Sequence, residues 1–477
     1  MTDSIHGLPF WQLRFDAEGD PDGLGAEVLL TEVADRGITD LIVFSHGWNN
    51  DVAVARRLYD GFFGQLAPQL VHARPGTKVG LAGVFWPSRR WADEPIPDFE
   101  PTPPTLGPGG AAHGAAGGAA ARRQPPPEPF GGPELDAATL ADLRAQFPAG
   151  ADELEALAGL LAGPRTAATE REFVDRLAAF AQAAAVPGSH GEDGAADADT
   201  PVPPALADDD LDPLDVLHRY DTALAAGGFL AGEGAAGGAA GLGELIGSAW
   251  NGGKEALRQL TYWQMKNRAG VVGEHGLGPL LSRLHTAVPG VRVHLVGHSF
   301  GGRLVSYALA GLAADTPGAP VHSVTLLQAA FSHVAFAPKL SFRAGAGALA
   351  GKQRRIDGPL VVCFSVHDKA VGTFYPLASL LARQDAAAGK SRTYRWDGMG
   401  HDGAQETGAV LDAIQPPGPG TTYRLTPGTV LDVDCAAVVF RGSTPSGAHS
   451  DIVHPEITWL VLSAAGIVQR SGSGRVA

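Results

Sequence analysis

One stretch of the sequence constrains the fold more than any other: VRVHLVGHSFGGRLVSYALAG, residues 291–311. It begins with the β-branched and aliphatic residues typical of a buried strand, and it ends with apolar residues at helical spacing. Gly297, Gly301 and Gly302 surround a single serine, Ser299, at the junction. Glycine suits positions where a side chain would clash or where the backbone needs unusual dihedral angles. The stretch therefore predicts a sharp strand-to-helix turn with Ser299 at its tip.

The five residues from Gly297 to Gly301 match the pattern G-x-S-x-G. In such a turn the serine hydroxyl projects above the end of the sheet, at the N-terminus of the following helix. A helix N-terminus favours developing negative charge. We interpret Ser299 as a nucleophile; the alternative is a tight turn whose serine has no chemical role. His298 is expected to pack beside the turn.

Strand patterns alternate with helical patterns on both sides of this turn, which predicts a parallel α/β sheet. Upstream, residues 38–50 and 77–88 each contain an apolar strand, and a helical pattern separates them. Downstream, the strand candidates are residues 291–296, 321–327, 360–366 and 435–440. Residues 455–466 follow as a helix with Pro455 in its first turn.

The composition changes sharply in the middle of the chain. Residues 101–133 and 186–210 are rich in Pro, Gly and Ala, which is typical of flexible linkers. Residues 133–147 and 169–185 have amphipathic helical spacing. We therefore expect a core formed by residues 1–93 and 254–477. Residues 94–253 are expected to form an inserted region that is cap-like or partly disordered.

The charge balance excludes some partners. The formal net charge is -15, from 51 acidic and 36 basic residues, which disfavours binding to nucleic acids or to anionic membranes. Neither a signal peptide nor an apolar stretch long enough to span a membrane is recognisable, so a cytoplasmic protein without membrane association is expected. Cys363 and Cys435 lie in apolar runs and are expected to be buried thiols.

The segment VHLVGHSFGGRLVS, preceded by LIVFSHGW, resembles the α/β-hydrolase superfamily. The resemblance covers residues 38–90 and 254–468 and leaves out the inserted region. It implies an α/β-hydrolase fold, with a mostly parallel sheet flanked by helices and a large, partly helical Ala/Gly/Pro-rich insertion. It also implies a serine hydrolase whose catalytic triad follows the chain order serine, acid, histidine.

Asp368 is the candidate acid. It follows the predicted strand 360–366, and the carboxyl ends of parallel strands share one rim of the sheet with Ser299. The preceding strand candidate ends without a nearby Asp or Glu. The alternative interpretation of Asp368 is a turn-capping aspartate beside Lys369.

Three histidines follow Asp368 and are candidates for the base: His401, His449 and His454. His449 lies in the loop between the last predicted strand and the last helix, where the family places its base, and we prefer it. His401 follows an apparent edge strand, and His454 directly precedes Pro455. Both remain open as alternatives.

An oxyanion hole requires two N–H donors. The resemblance implies the backbone N–H of Phe300, directly after the nucleophile, and an N–H from the loop after the first of these strands. In that loop Gly47 would let the backbone approach the substrate, and Trp48 would supply the amide. The alternative is an ordinary strand-end loop with a packed tryptophan.

These residues predict a serine esterase that cleaves a carboxylic ester, from a small molecule or a lipid, through an acyl-enzyme. The alternatives are a lipase or phospholipase, an enzyme of acyl transfer or amide cleavage, and a catalytically silent fold used for binding. No cofactor is expected. No metal is expected either, because the sequence has no C-x-x-C spacing.

Overall fold

The computed structural model describes residues 3–88, 91, 134–164, 166–184, 242–314, 318–342, 344–374, 394, 397–442 and 446–468. Nine strands of these residues form one sheet in the order β1-β2-β4-β3-β5-β6-β7-β9-β8. The strands are β1 (Asp3–Ile5), β2 (Leu8–Arg14), β3 (Asp40–Ser45), β4 (Val79–Phe85), β5 (Arg292–His298), β6 (Ser323–Leu327), β7 (Leu360–Phe364), β8 (Val410–Ala413) and β9 (Val430–Asp434).

The sheet is mostly parallel. Only β1 and β2 pair in antiparallel fashion, while every other neighbouring pair in the described sheet is parallel. Every residue of β3 and β4 is buried, as expected for central strands that helices cover on both faces. The predicted α/β class with a mostly parallel sheet flanked by helices is therefore confirmed.

Helices lie on both faces of the sheet. The described α-helices are α1 (Gly25–Asp35), α2 (Val52–Leu66), α3 (Ala137–Gln146), α4 (Ala151–Ala162), α5 (Ala167–Ala183), α6 (Leu242–Val271), α7 (Gly278–Ala287), α8 (Phe300–Ala308), α9 (Met399–Asp402) and α10 (Pro455–Ala464). One apolar core joins α2 and α10, through residues such as Phe62 and Leu460, to one face of the sheet. A second core joins α1, α7 and α8 to the opposite face.

The insertion contributes packed helices. The predicted helices in residues 133–147 and 169–185 are present as α3 and α5, and α4 lies between them. Leu157 and Phe173 from these helices share one core with Leu257 of α6 and Leu304 of α8. The predicted linkers, residues 101–133 and 186–210, lie outside the described residues.

One strand prediction is wrong. Residues 435–440 were expected to form the last strand, but the strand is β9, which ends at Asp434. The carbonyl of Cys435 accepts the N–H groups of Val438 and Val439, so the chain turns there. Asp432 and Asp434 mask β9 in the sequence, because aspartate is uncommon in strands. Asp432 is nevertheless buried, and its carboxylate accepts the N–H of Ala404 at 3.0 Å.

No helix of the described residues has both the length and the apolar character needed to cross a membrane. Cys363 and Cys435 are buried free thiols, as expected.

The topology has a switch point at the centre of the sheet. Adjacent strands β3 and β5 are parallel, but the chain leaves β3 for α2 on one face and leaves β5 for α8 on the other. Two loops that separate in this way leave a gap at the carboxyl ends of the strands, where α/β proteins bind ligands. Gly47 and Ser299 lie on the two sides of this gap.

The packing at Gly301 gives a stability prediction. A Cβ atom at Gly301 would lie 2.1 Å from the backbone oxygen of Ser45, so Gly301→Ala is expected to destabilise the fold by about 1–3 kcal/mol or more. The control is Gly159→Ala on the exposed side of α4, where a Cβ meets nothing within 4 Å. Alanine favours helix there, so this variant is expected to gain about 0.5–1 kcal/mol. Thermal and urea unfolding measure both, and equal effects in the two variants would contradict the packing at Gly301.

Candidate active site

Ser299 lies at a strained turn between β5 and α8. Its backbone angles are φ 57° and ψ -125°, in a region that side-chain-bearing residues rarely adopt. The turn is possible because glycines flank it: a Cβ at Gly297 would lie 2.4 Å from the oxygen of Gly301. The N–H of Ser299 donates to the carbonyl of Leu327 at the end of β6, which ties the turn to the neighbouring strand.

Ser299, His449 and Asp368 form one hydrogen-bonded chain. Nε2 of His449 lies 2.9 Å from Oγ of Ser299, and Nδ1 of the same ring lies 2.8 Å from Oδ2 of Asp368. Ser299 is 6% exposed, His449 3% and Asp368 0%. An imidazole between a hydroxyl and a carboxylate can accept the hydroxyl proton while the carboxylate stabilises the imidazolium. The structure thus brings the sequence-predicted serine, acid and preferred histidine together.

The loops that carry Asp368 and His449 are joined by backbone hydrogen bonds. The N–H of Ala448 donates to the carbonyl of His367 at 2.9 Å, and the N–H groups of Lys369 and Ala370 both donate to the carbonyl of Ser446. Oδ1 of Asp368 accepts the N–H of Val371 at 2.9 Å, which leaves Oδ2 directed at His449. The carboxylate is therefore oriented by its own loop and does more than cap a turn.

The other two late histidines have different partners. Nε2 of His454 pairs with Oδ1 of Asp451 at 2.7 Å, directly before α10. Nδ1 of His401 contacts the backbone oxygen of Asp368 at 3.1 Å, so His401 supports the backbone of the candidate acid. Among the described residues, neither ring makes a hydrogen bond to Ser299.

His298 supports the loop that carries His449. It is buried, and its Nε2 donates to the backbone carbonyl of His449 at 2.9 Å. Burial, together with the nearby ring of His449, lowers the pKa of His298 to about 3. The ring is therefore neutral near pH 7. Its packing beside the turn was anticipated from sequence, but its hydrogen bond to a residue so distant in the chain was not.

Gly47 approaches the nucleophile closely. A Cβ at Gly47 would lie 2.5 Å from Cβ and 3.0 Å from Oγ of Ser299, so only glycine fits here without a shift. The side chain of Asn50 fixes this loop, because its Nδ2 donates to the carbonyls of Gly47 (3.1 Å) and Trp48 (2.7 Å). Sequence reasoning missed Asn50. Its only signal is a pair of asparagines, Asn49 and Asn50, after the strand-end HGW.

His46 is also a supporting residue. Its ring stacks on Trp86 with 9° between the planes, and its backbone N–H donates to the hydroxyl of Tyr59 at 3.1 Å. Burial lowers the pKa of His46 to about 4, so this ring too is neutral near pH 7. The loop that precedes Trp48 is thus anchored in the core.

Aromatic side chains line the approach to the turn. Tyr262 of α6 packs edge-on against Trp48 at 5.2 Å and lies 4.5 Å from the ring of Phe300. Nε1 of Trp91 donates to Oγ1 of Thr261 at 2.8 Å, which attaches α6 beside the loop of Trp48. Trp48 and Phe300, the two residues predicted to donate oxyanion-hole N–H groups, therefore flank Ser299 from separate loops.

Comparisons with known proteins give no match to a family model, a curated protein or a solved structure. The candidate site is therefore interpreted from its own geometry. Among the described residues, one group has the composition and spacing to ligate a metal ion: His333, Asp397 and Asp402. It includes neither Ser299 nor His449.

The buried histidines give a pH prediction. Because the pKa of His298 is about 3 in the folded state and about 6.5 in the unfolded state, the unfolded chain binds more protons between these values. The stability contributed by the neutral ring is present above about pH 6.5 and is lost as the pH falls. His298→Gln keeps a donor but removes the titration. Between pH 6 and 4.5 it is expected to reduce the slope of unfolding free energy against pH, by up to about 1.4 kcal/mol per pH unit. Urea unfolding at several pH values tests this, and an unchanged slope would contradict it.

Proposed function

We propose that this chain is a serine hydrolase of the α/β-hydrolase superfamily, and that it cleaves a carboxylic ester through an acyl-enzyme. The observation that carries the proposal is the hydrogen-bonded chain from Ser299 through His449 to Asp368, at 2.9 and 2.8 Å. The strained backbone of Ser299 supports it, because a nucleophile elbow holds its serine in such a conformation.

In the first half of the reaction, Oγ of Ser299 forms a bond to the acyl carbon while Nε2 of His449 takes the hydroxyl proton. Asp368 holds the ring in orientation and stabilises its positive charge. The carbonyl π electrons move onto oxygen, and the backbone N–H groups of Phe300 and Trp48 donate to this oxyanion. When the C=O bond re-forms, the bond to the alcohol oxygen breaks, and that oxygen takes the proton from His449.

In the second half, water attacks the acyl-enzyme and gives its proton to His449. The second tetrahedral intermediate uses the same two N–H donors. Its collapse breaks the bond to Oγ of Ser299, and Oγ recovers a proton from the imidazolium. The sum of the two halves is ester plus water giving acid plus alcohol, with the enzyme unchanged.

Two considerations favour an ester substrate. Without protonation, an alkoxide leaves far more readily than the nitrogen anion of an amide, so an ester places the smaller demand on proton donation by His449. Tyr262, which packs on Trp48 and on the buried ring of Phe300, provides an apolar aromatic surface near the turn for an acyl group. The low-charge stretch of residues 227–250 is the one sequence feature that points to a lipase. Residues 227–241 of it lie outside the described residues and residues 242–250 belong to α6, so lipid specificity has no support from the described part of the chain.

Replacement of the nucleophile is the direct test. Ser299→Ala is expected to lose labelling by a fluorophosphonate and to lower kcat for a p-nitrophenyl ester by about 10⁴ to 10⁶-fold. The matched control is Ser306→Ala on the same helix, whose buried hydroxyl donates to the carbonyl of Gly302 at 2.7 Å and lies outside the hydrogen-bonded chain. It is expected to keep labelling and turnover. Circular dichroism shows whether both variants fold.

Two results would contradict the proposed function. One is a folded wild-type protein that neither reacts with the probe nor hydrolyses esters of several chain lengths, as expected for a silent fold. The other is ester turnover that survives in folded Ser299→Ala. Turnover of amides in preference to esters would retain the mechanism but overturn the ester assignment.

Three histidine variants test the base. His449→Ala is expected to lose activity about as completely as Ser299→Ala, because the two side chains act as one unit. His454→Ala is expected to keep full turnover. His401→Ala loses one hydrogen bond to the Asp368 backbone and is expected to lose about tenfold or less. Loss of probe labelling in His454→Ala or His401→Ala, with labelling kept in His449→Ala, would assign the base to another ring.

A further inference from the structure

A second cluster of chemically active side chains lies outside the Ser299 site. His333, Asp397 and Asp402, which we call the His333 cluster, each direct a ligand atom so that all three atoms lie within 4.8 Å of one another. Nδ1 of His333 is 2.7 Å from Oδ2 of Asp402. His333 is fully buried, while Asp397 and Asp402 are half-buried.

Two buried polar atoms of this cluster lack a hydrogen-bond partner among the described residues. A neutral imidazole donates one proton, and Nδ1 of His333 lies 2.7 Å from Oδ2 of Asp402. Oδ1 of Asp402 and Nε2 of His333 are both buried and have no hydrogen-bond partner in the described part of the chain. A buried carboxylate oxygen without a partner is costly, and a bound cation removes that cost.

The backbone already holds the three residues in place. The N–H of His333 donates to the carbonyl of Asp397 at 3.2 Å, and the N–H of Gln405 donates to the carbonyl of His333 at 2.8 Å. The side chain of Gln405 also donates to the carbonyl of Asp402 at 2.6 Å. The segment after β6 and the segment around α9 are therefore joined at this cluster before any ligand binds.

We propose that the His333 cluster binds a divalent transition-metal ion of the Zn²⁺ type, with His333, Asp397 and Asp402 as ligands and water in the remaining position. Imidazole together with carboxylates suits Zn²⁺, whereas Ca²⁺ and Mg²⁺ favour all-oxygen sites with six or more ligands. Tetrahedral Zn²⁺ with bonds of about 2.0–2.2 Å places its ligand atoms roughly 3.3 Å apart. To reach that spacing, Nδ1 of His333 and Oδ2 of Asp402, now 2.7 Å apart, would open slightly, and any wider pair would close from at most 4.8 Å.

The bound ion would stabilise one side of the active-site rim. On α9, Asp402 is a ligand of the proposed site, and the adjacent His401 contacts the backbone oxygen of Asp368. Gly400 donates its N–H to the carbonyl of Ala329 and accepts the N–H of Ser365, so α9 bridges the ends of β6 and β7. The ion would thus stabilise the fold at this position. It takes no part in the proposed ester cleavage, so the two proposals stand or fall separately.

This proposal departs from the expectation of no metal. That expectation rested on the absence of a C-x-x-C pair, whereas His333 is far from Asp397 and Asp402 in the chain. The pair His322–Asp357 provides a contrast. Its Nδ1–Oδ1 distance is also 2.7 Å, but it belongs to no three-residue ligand group among the described residues.

Zinc binding by the full chain tests the proposal. The protein is stripped with EDTA, exchanged into chelator-free buffer and titrated with ZnCl₂ by calorimetry. Metal content after gel filtration is measured by mass spectrometry. The wild type is expected to bind about one equivalent and to gain thermal stability that EDTA reverses. Asp402→Asn and Asp397→Asn, which keep side-chain shape, are expected to weaken Zn²⁺ binding by about tenfold or more. His322→Ala is the matched control and is expected to bind as the wild type does.

Three outcomes would overturn the proposal. The first is a folded wild-type protein that takes up no Zn²⁺. The second is equal Zn²⁺ affinity in the wild type and both aspartate variants, which would place the ion elsewhere. The third is tighter binding of CaCl₂ or MgCl₂ than of ZnCl₂ in parallel titrations. Ester turnover is measured alongside, and its presence or absence affects only the proposed function.

Discussion

The close approach of three backbone segments around Ser299 is the constraint on which the rest of the site depends. Gly301 places α8 against the carbonyl of Ser45 at the end of β3, and Gly47 brings the next loop onto the Ser299 side chain. Any Cβ at these positions would separate β3, β5 and α8 at their shared end. The strained conformation of Ser299 persists because the packed segments around it leave no alternative.

The polar groups beneath this turn support it without titrating near pH 7. Burial keeps the rings of His46 and His298 neutral, with pKa values of about 4 and about 3. Each residue connects a loop of the site to its surroundings. The ring of His298 bonds to the loop of His449, while His46 reaches the core through its ring, which stacks on Trp86, and through its backbone N–H, which donates to Tyr59. His449 is therefore held between an oriented carboxylate and a backbone hydrogen bond to a neutral neighbour.

The loops after β6, β7 and β9 act as one unit. The loop of His449 is hydrogen-bonded to the loop of Asp368, and α9 is hydrogen-bonded to the residues after β6 and β7. The His333 cluster joins the same segments, because Asp402 belongs to α9 and His333 follows β6. A residue in α9 can therefore influence the orientation of Asp368 without touching a substrate, which distinguishes positioning residues such as His401 from catalytic ones.

The sequence by itself determined the elements whose cause is local. The α/β class follows from alternating patterns, and the turn at Ser299 follows from sterics among adjacent glycines, so both could be predicted.

The tertiary structure alone decided the rest. Asp432 hid β9 because its burial depends on the Ala404 amide from another segment. The preference for His449 came from a family resemblance, and only the pairing of its loop with that of Asp368 separates it from His401 and His454. Asn50 and the His333 cluster likewise gain their roles from contacts between segments. Short-range sterics act within a few residues and leave a readable pattern, whereas long-range hydrogen bonds depend on how the loops close.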